Sequence, residues 1–298
     1  MGHFWGVDLG GTKIEAVVLV EGELTEVIRH RIDTEADEGY AHIVDRIGLL
    51  LEEVSTKTGL EIPAVVGMGT PGAISPGSGL MKNSNTTCLN GQPLLADVQA
   101  RVGREFRMAN DANCFALAEA TLGAARGYET VFGVIMGTGV GGGLVVNGRV
   151  LNGAHGIAGE WGHNELEASG TPCYCGKIGC VETVLSGTGL QRYYLSVTGE
   201  SRRLDDILAR ARLGEDAAAV ATMNRLIEFF GEALSVVVDI FDPHAIVLGG
   251  GVCNTPELYT LGVESLARWV FNDTFEAKVL APALGVSAGV YGAAMLAS

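Results

Sequence analysis

Three cysteines and one histidine are the most specific chemical cluster in this sequence. Cys173, Cys175 and Cys180 fall in one glycine-rich stretch, and His163 lies shortly upstream. Three thiolates and one imidazole fill a tetrahedral zinc site with no position left for water. The alternative is three reduced cysteines in a loop, but the intervening glycines favour a turn in which the sulfurs converge. The pattern therefore predicts a structural zinc site that braces the chain rather than a hydrolytic one.

Glycine-rich turns are the candidate phosphate sites. Glycines allow backbone N–H groups to approach phosphate oxygens, threonine and lysine side chains add donors, and an aspartate can hold Mg²⁺ through water. Neither of the two main turns has the spacing of a P-loop or of a dinucleotide fingerprint. One such turn is more often a plain hairpin, whereas two, each opening one half of the chain, favour phosphate binding. The residues concerned are Asp8, Gly10, Gly11, Thr12 and Lys13, then Gly137, Thr138 and Gly139, with Gly250 and Gly251 as a third close approach.

Asp111 is the acid–base candidate, and it follows Asn110. An aspartate that begins a helix is most often an N-cap, so this residue alone indicates little. Glu160, His163 and Glu182 strengthen the hypothesis, because carboxylates, imidazole and amide groups form paired hydrogen bonds with the hydroxyls of a polyol. The alternative for the two glutamates is ordinary surface charge.

Two similar hairpins must position these residues. Apolar runs at 4–7 and 14–20 flank the first turn, and runs at 131–136 and 144–146 flank a second turn over 137–143. The pattern predicts strand, turn and strand in both places, which is an internal repeat at the scale of a domain.

Other elements follow from hydrophobic spacing. Helical periodicity covers residues 40–58, and short apolar runs at 64–68 and 245–248 indicate buried strands. The sequence also predicts helices over 93–102 and about 217–240, and a closely packed helix of small residues within 285–296.

Bulk composition excludes several classes of protein. The chain has 298 residues, of which 47% are hydrophobic and 18% charged, typical of a well-buried α/β protein with two domains. A net charge of -15 without any basic run argues against nucleic-acid binding. No leader-like or membrane-spanning segment is evident, and the cysteine spacing is that of reduced thiols, so we expect a cytoplasmic protein without membrane contact.

Taken together, these motifs resemble the ROK (repressor, open reading frame, kinase) family of sugar kinases, within the actin-like ATPase superfamily. The resemblance covers essentially the whole chain, and the run from Cys173 to Glu182 is its most specific part. It implies an α/β fold of two actin-like (ribonuclease H-like) domains around a central cleft. The expected domains are 1–112 and 113–284, the second containing the zinc loop, with a terminal helix at about 285–298 packing on the first. The resemblance also implies a homodimer.

The resemblance assigns a role to each candidate. Asp111 becomes the general base that takes a proton from a sugar hydroxyl as this attacks the γ-phosphate of ATP. The two glycine turns hold the phosphates with Mg²⁺, and Gly250 and Gly251 approach the adenosine. His163 has two roles, with one ring nitrogen on zinc and the other toward the sugar. The implied sugar ligands are Asn83, Asn110, Glu160, His163 and Glu182, and the zinc ligands are His163, Cys173, Cys175 and Cys180.

Segments 82–85 and 89–93 resemble the bacterial fructokinase branch, so the expected reaction is D-fructose to fructose 6-phosphate. Cys88 departs from the family, which often carries an aromatic residue there, and removes a stacking contact near the sugar loop. One alternative is an N-acetylhexosamine or glucose/mannose kinase, which shares the same motifs. Another is a non-catalytic, sugar-sensing regulator; repressors of the family carry a helix-turn-helix module for which no room precedes Asp8, and retention of Asp8 and Asp111 favours catalysis.

Overall fold

Two five-stranded sheets form the centre of the fold. The computed structural model describes residues 2–298, with only the backbone of Val286; Met1 lies outside the described residues. The strands in chain order are β1 (His3–Leu9), β2 (Lys13–Val20), β3 (Glu26–Asp33), β4 (Val65–Thr70), β5 (Ala73–Ile74), β6 (Met81–Lys82), β7 (Glu105–Asn110), β8 (Thr130–Met136), β9 (Val140–Val146), β10 (Arg149–Val150), β11 (Ala245–Gly249) and β12 (Lys278–Leu280).

Helices cover much of the remaining chain, joined by short 3-10 turns. In chain order they are α1 (Tyr40–Thr58), α2 (Leu94–Val102), α3 (Asp111–Thr121), α4 (Val181–Leu185), α5 (Gly187–Thr198), α6 (Leu204–Leu213), α7 (Ala217–Phe241), α8 (Leu261–Trp269) and α9 (Ala288–Met295). None of the helices within residues 2–298 combines the length and hydrophobicity required to cross a membrane.

The two sheets share one topology. The first has the order β3-β2-β1-β4-β7, and the second has the order β10-β9-β8-β11-β12. In the first sheet β1, β2 and β3 are antiparallel, whereas β1, β4 and β7 are parallel. In the second, β9 and β10 are antiparallel, and β8, β11 and β12 are parallel. The matching orders confirm the internal repeat that the two hairpins indicated.

Contacts divide the chain into two compact units. Unit 1 comprises Met1–Gly127, Gly143–Ala158 and Ala283–Ser298, and unit 2 comprises Tyr128–Gly142 and Gly159–Pro282. The domain bounds expected from the sequence stay a prediction.

Helix α9 packs closely within unit 1, as its small residues predicted. A Cβ atom on Gly67 of β4 would lie 1.7 Å from the carbonyl oxygen of Ala293, so only glycine lets the helix approach this strand. At the end of α3, the carboxylate of the fully buried Glu119 accepts hydrogen bonds from the backbone N–H groups of Ala124, Ala283 and Leu284 at 2.8 to 3.1 Å. These bonds fix the chain just before α9.

The second hairpin differs from its prediction in the length of the turn. The turn covers only residues 137–139, because β9 already begins at Val140. Gly142 is a strand residue, and a Cβ atom there would lie 2.6 Å from the ring of Phe132. This glycine therefore serves close packing in unit 2 rather than a turn.

Candidate functional site

Acidic side chains converge at one end of the first sheet in unit 1. Burial, together with the negative charges of Asp111 and Glu15, raises the pKa of Asp8 to about 7, against a smaller opposite effect from Arg31. Arg31 donates to Glu15 at 2.6 Å, so this cation is already paired. Gly69 allows the close approach, because a Cβ atom there would lie 3.1 Å from Oδ1 of Asp8. A buried carboxylate beside two others suits a divalent cation, which would offset the repulsion, so Asp8 fits the expected Mg²⁺.

Asp111 is the first residue of α3, and its neighbour does the capping. Oδ1 of Asn110 accepts from the backbone N–H of Asn113 at 2.8 Å, which makes Asn110 the N-cap. The interpretation of Asp111 as an N-cap is therefore wrong. Its own Oδ1 accepts from the N–H of Ala112 at 2.8 Å and the residue stays accessible to solvent. Desolvation of the carboxylate by the surrounding protein raises the pKa of Asp111, and the hydrogen bond from the N–H of Ala112 partly offsets that effect.

The first glycine turn, Gly10–Lys13, joins β1 to β2 in unit 1. The N–H of Gly10 donates to the carbonyl of Lys13 at 2.9 Å, and Lys13 itself is exposed. Thr34, which follows β3, donates its hydroxyl to the Gly10 carbonyl at 2.7 Å and its backbone N–H to the Thr12 carbonyl at 2.9 Å. Thr34 thus holds the turn through the carbonyls of Gly10 and Thr12.

The second glycine turn, Gly137–Gly139, joins β8 to β9 in unit 2. Oε2 of Glu182 accepts from the N–H of Val140 at 3.0 Å, directly after this turn. A Cβ atom on Gly139 would lie 2.5 Å from the same oxygen, so a larger residue at this position would displace the carboxylate from Val140. Glu182, which the family resemblance assigns to the sugar, therefore also contacts the end of the second glycine turn.

The four predicted zinc ligands lie together in unit 2. One donor atom from each of them lies within 4.8 Å of all the others. Sγ of Cys175 and Sγ of Cys180 are 3.6 Å apart, and Sγ of Cys173 lies 3.7 Å from Nδ1 of His163. Zn–S bonds of 2.3 Å and Zn–N bonds of about 2.0 Å at tetrahedral angles require separations of about 3.6 to 3.8 Å. The donor set and its spacing fit zinc.

The second ring nitrogen of His163 has a protein partner. Nε2 lies 3.1 Å from the hydroxyl of Tyr174, and the two rings meet edge to face. Partial desolvation, followed by the negative charges of Glu182 and Glu160, raises the pKa of Tyr174 to about 12. Tyr174, a residue that sequence reasoning did not identify, thus contacts His163 and lies within the electrostatic influence of Glu160 and Glu182.

A cavity of about 640 Å³ in unit 2 adjoins the second glycine turn. This volume is in the range of small-molecule sites. A shallow depression of similar size in unit 1, lined by Glu61 and Arg104, contains none of the predicted site residues. The lining of the cavity in unit 2 includes Gly137, Thr138 and Gly251 and, from α5, α6 and the segment after β11, Thr188, Gln191, Leu204, Leu208 and Asn254.

The remaining sugar candidate, Asn83, lies in unit 1 with Asn110. Its backbone φ is +58°, a left-handed conformation that asparagine tolerates better than most residues. The side chain of Asn90 fixes Ser84, the residue after Asn83. Oδ1 of Asn90 accepts from the N–H of Ser84, and Nδ2 donates to the carbonyl of Ser84, both at 2.9 Å. Thr34 belongs to none of the sequence motifs, and Asn90, although it lies in segment 89–93, is assigned no role, so the sequence offered no signal for these positioning contacts.

Comparison with known proteins identifies the family to which this chain belongs. Residues 4–298 match the model of the ROK family. The N-acetyl-D-glucosamine kinase of Pectobacterium atrosepticum is 35% identical over 306 residues, covering 98% of each chain. The N-acetyl-D-glucosamine kinase of Yersinia pseudotuberculosis is 36% identical over 303 residues, with the same coverage.

Solved structures give the same result. A ROK hexokinase from Thermus thermophilus has a TM-score of 0.89 and 30% identity, covering 99% of this chain and 98% of that one. A ROK glucokinase from Streptomyces griseus, in complex with glucose and AMPPNP, has a TM-score of 0.79 and 32% identity, covering 99% of each chain. The predicted α/β fold with two actin-like domains is confirmed. The chain therefore belongs to the ROK family of sugar kinases, as its motifs indicated.

Proposed function

We propose that this chain transfers the γ-phosphate of ATP to N-acetyl-D-glucosamine. The enzyme class, an ATP-dependent hexokinase, follows from membership of the family together with full-length similarity to sugar kinases. The observation that carries the choice of sugar is the identity of 35 to 36% to N-acetyl-D-glucosamine kinases over 98% of the chain. This similarity favours the N-acetylhexosamine alternative over D-fructose, the sugar that segments 82–85 and 89–93 indicated.

Glucose is the second candidate. The support for it is the likeness to the glucokinase of Streptomyces griseus, whose structure contains glucose and AMPPNP, at 32% identity. Glucose and N-acetyl-D-glucosamine differ only at one ring substituent, so the two hypotheses share the same catalytic machinery.

Asp111 is the proposed general base. A raised pKa strengthens the carboxylate as a base, and its access to solvent leaves it open to a substrate, so both properties suit a group that accepts a proton from a sugar hydroxyl. Asn110 supports the position of Asp111 by capping α3, since this cap fixes the first turn of the helix. The acceleration in phosphoryl transfer comes mainly from positioning and charge neutralisation, so a firmly held base is appropriate.

The other site residues retain the roles that the family resemblance implies. Asn83, Asn110, Glu160, His163 and Glu182 would contact the sugar, and the two glycine turns would hold the phosphates. Gly250 and Gly251 would approach the adenosine, which is supported by the position of Gly251 in the wall of the 640 Å³ cavity. Bound Mg²⁺ would neutralise phosphate charge near Asp8. Bound zinc would hold the loop that contains Tyr174, and so the orientation of His163.

We also propose a homodimer, as the family resemblance implies. Phe271 is 96% exposed and Ile240 on α7 is 82% exposed. The N–H of Phe271 donates to the carboxylate of Asp239 at 3.0 Å, which places Phe271 beside the end of α7 that carries Ile240, and we call these two exposed residues the apolar patch of unit 2. Large neighbouring apolar side chains in contact with water are typical of protein interfaces. None of the six cysteines, all within the described residues, forms a disulfide, which supports a reducing compartment such as the cytoplasm.

A coupled ADP-release assay over a sugar panel tests this function. The panel comprises N-acetyl-D-glucosamine, N-acetyl-D-mannosamine, D-glucose, D-mannose and D-fructose, and we expect the highest kcat/KM for N-acetyl-D-glucosamine. Asp111→Asn should lower kcat at least about a hundredfold, because a general base typically contributes that much, while sugar affinity by calorimetry persists. Asp37→Asn, at an exposed position in a 3-10 turn, is the matched control and should retain full turnover.

Each result separates one part of the proposal from the others. If kcat/KM is higher for glucose or fructose than for N-acetyl-D-glucosamine, the sugar with the higher value replaces N-acetyl-D-glucosamine as the proposed substrate. Full turnover by Asp111→Asn would remove this residue from the mechanism. Sugar binding without ATP consumption for any member of the panel would favour a sugar-sensing regulator.

A further inference from the structure

The two glycine turns share a hydrogen-bonding pattern that neither motif predicts. In the first turn, Thr34 bonds the carbonyls of Gly10 and Thr12 through its hydroxyl and its backbone N–H, at 2.7 and 2.9 Å. Thr34 is fully buried, follows β3, and lies more than twenty residues from Gly10. The hydrogen bond from the Thr34 hydroxyl to the carbonyl of Gly10 therefore depends on tertiary structure rather than on local chain geometry.

The second turn is held in the same manner from the start of α5. The N–H of Gly187 donates to the carbonyl of Gly137 at 2.8 Å. The hydroxyl of Thr188 donates to the carbonyl of Thr138, also at 2.8 Å. The carbonyl of Gly139 accepts from the N–H of Gly137 at 2.9 Å, within the turn. All three carbonyl oxygens of the turn are thus hydrogen-bonded to the protein.

The N–H groups of the turns show the opposite pattern. In residues 2–298, the N–H groups of Gly11 and Thr12 carry no hydrogen bond to another described residue. The same holds, over that part of the chain, for the N–H groups of Thr138 and Gly139. Carbonyl oxygens near a phosphate repel it, whereas successive N–H groups attract it. Fixing the carbonyls therefore leaves each turn with donors available to an anion.

We infer that Thr34 and Thr188 are positioning residues for the phosphates of the nucleotide, one for each glycine turn. The inference rests on the proposed function, in which these turns hold the phosphates of ATP. Each threonine acts through the turn: its hydroxyl holds one carbonyl in place, and the turn then presents its N–H groups. The donors need no reorganisation when the nucleotide binds, which is the advantage of a preorganised site.

Valine and serine substitutions test this inference. Valine matches the shape of threonine but leaves the carbonyl of Gly10 or Thr138 without its donor, whereas serine retains the hydroxyl. We expect Thr34→Val and Thr188→Val each to raise the Kd for ATP about five- to tenfold, the effect of one hydrogen bond. Thr34→Ser and Thr188→Ser should stay within about twofold of the wild type.

Adenosine supplies the readout that a general structural role would not reproduce. It has no phosphates, so its inhibition constant in the valine variants should stay within about twofold of the wild-type value. The matched controls are Thr58→Val and Thr198→Val. Both hydroxyls donate to a carbonyl four residues earlier in a helix, those of Val54 and Tyr194, away from the turns. These variants should bind ATP and adenosine as the wild type does.

The outcomes distinguish the inference from the proposed function. Unchanged ATP affinity in both valine variants, with wild-type kinase activity intact, would overturn the inference and leave the function standing. Equal weakening of ATP and adenosine would also overturn it, because the threonines would then shape the cavity rather than the phosphate turns. Absence of ATP binding and turnover in the wild type would instead refute the proposed function.

Discussion

Zinc binding can be tested with the substitution Cys175→Ala. Cys175 is exposed, so its replacement removes a ligand and almost no buried surface. The spacings of 3.6 Å between Cys175 and Cys180 and of 3.7 Å between Cys173 and His163 fit a four-ligand tetrahedral site. Loss of one thiolate should therefore reduce the zinc content from one mole per mole of chain to a small fraction.

The expected loss of stability follows from linkage. A ligand present at a thousand times its Kd stabilises the folded state by about 4 kcal/mol. For a unit of this size, each kcal/mol corresponds to about 2 to 4 °C in Tm, so the variant should unfold about 8 to 16 °C below the zinc-loaded wild type. Since the side chain itself is exposed, the two proteins should have the same Tm, within about 1 °C, once zinc is removed by a chelator.

The assay combines metal analysis with thermal unfolding in the presence and absence of zinc. Ile178→Ala controls for a change in the same loop, because Ile178 is 51% exposed and is not a ligand. Cys88→Ala controls for loss of a thiol outside the cluster. Retention of one zinc per chain by Cys175→Ala would refute the assignment. A Tm difference that persists in the zinc-free proteins would show that the loop is stabilised by packing rather than by metal.

Two further predictions follow from unit 1 and from the apolar patch. The pKa of Asp8 is raised to about 7 from 3.8, so the folded state binds more protons than the unfolded state over this window and loses stability as the pH rises through it. Without Mg²⁺, Asp8→Asn should therefore gain at least about 1 kcal/mol over the wild type in urea unfolding at pH 8 and much less at pH 5, and a difference independent of pH would contradict this. Phe271→Glu should convert the proposed dimer to a monomer in equilibrium sedimentation, whereas Leu213→Glu, at an exposed position that ends α6, should not. A wild type that sediments as a monomer would eliminate the dimer itself.

Much of the fold follows from local patterns. Hydrophobic spacing located β1 and β2, and helix α1 has the predicted bounds, because the period of buried side chains is a local property of the chain. The turn after β8 was predicted too long, since a run of glycines does not reveal which of them pack under a ring such as Phe132. Glu119 gave no signal either, because its three backbone partners are distant in sequence or lie beyond the end of its helix.

The sequence by itself determined the family, and it predicted the four residues of the Cys/His cluster and the two glycine turns, because each of these depends on residue types at fixed spacing. Only the tertiary structure decided the electrostatics of Asp8, since its pKa depends on β1, β2 and α3 bringing three carboxylates together. It also decided that Thr34 and Thr188 bond the carbonyls of the two turns. The physical reason is the range of the interactions. Side-chain periodicity and ligand spacing are encoded within a few residues, whereas desolvation and hydrogen bonds between segments exist only after the chain has folded.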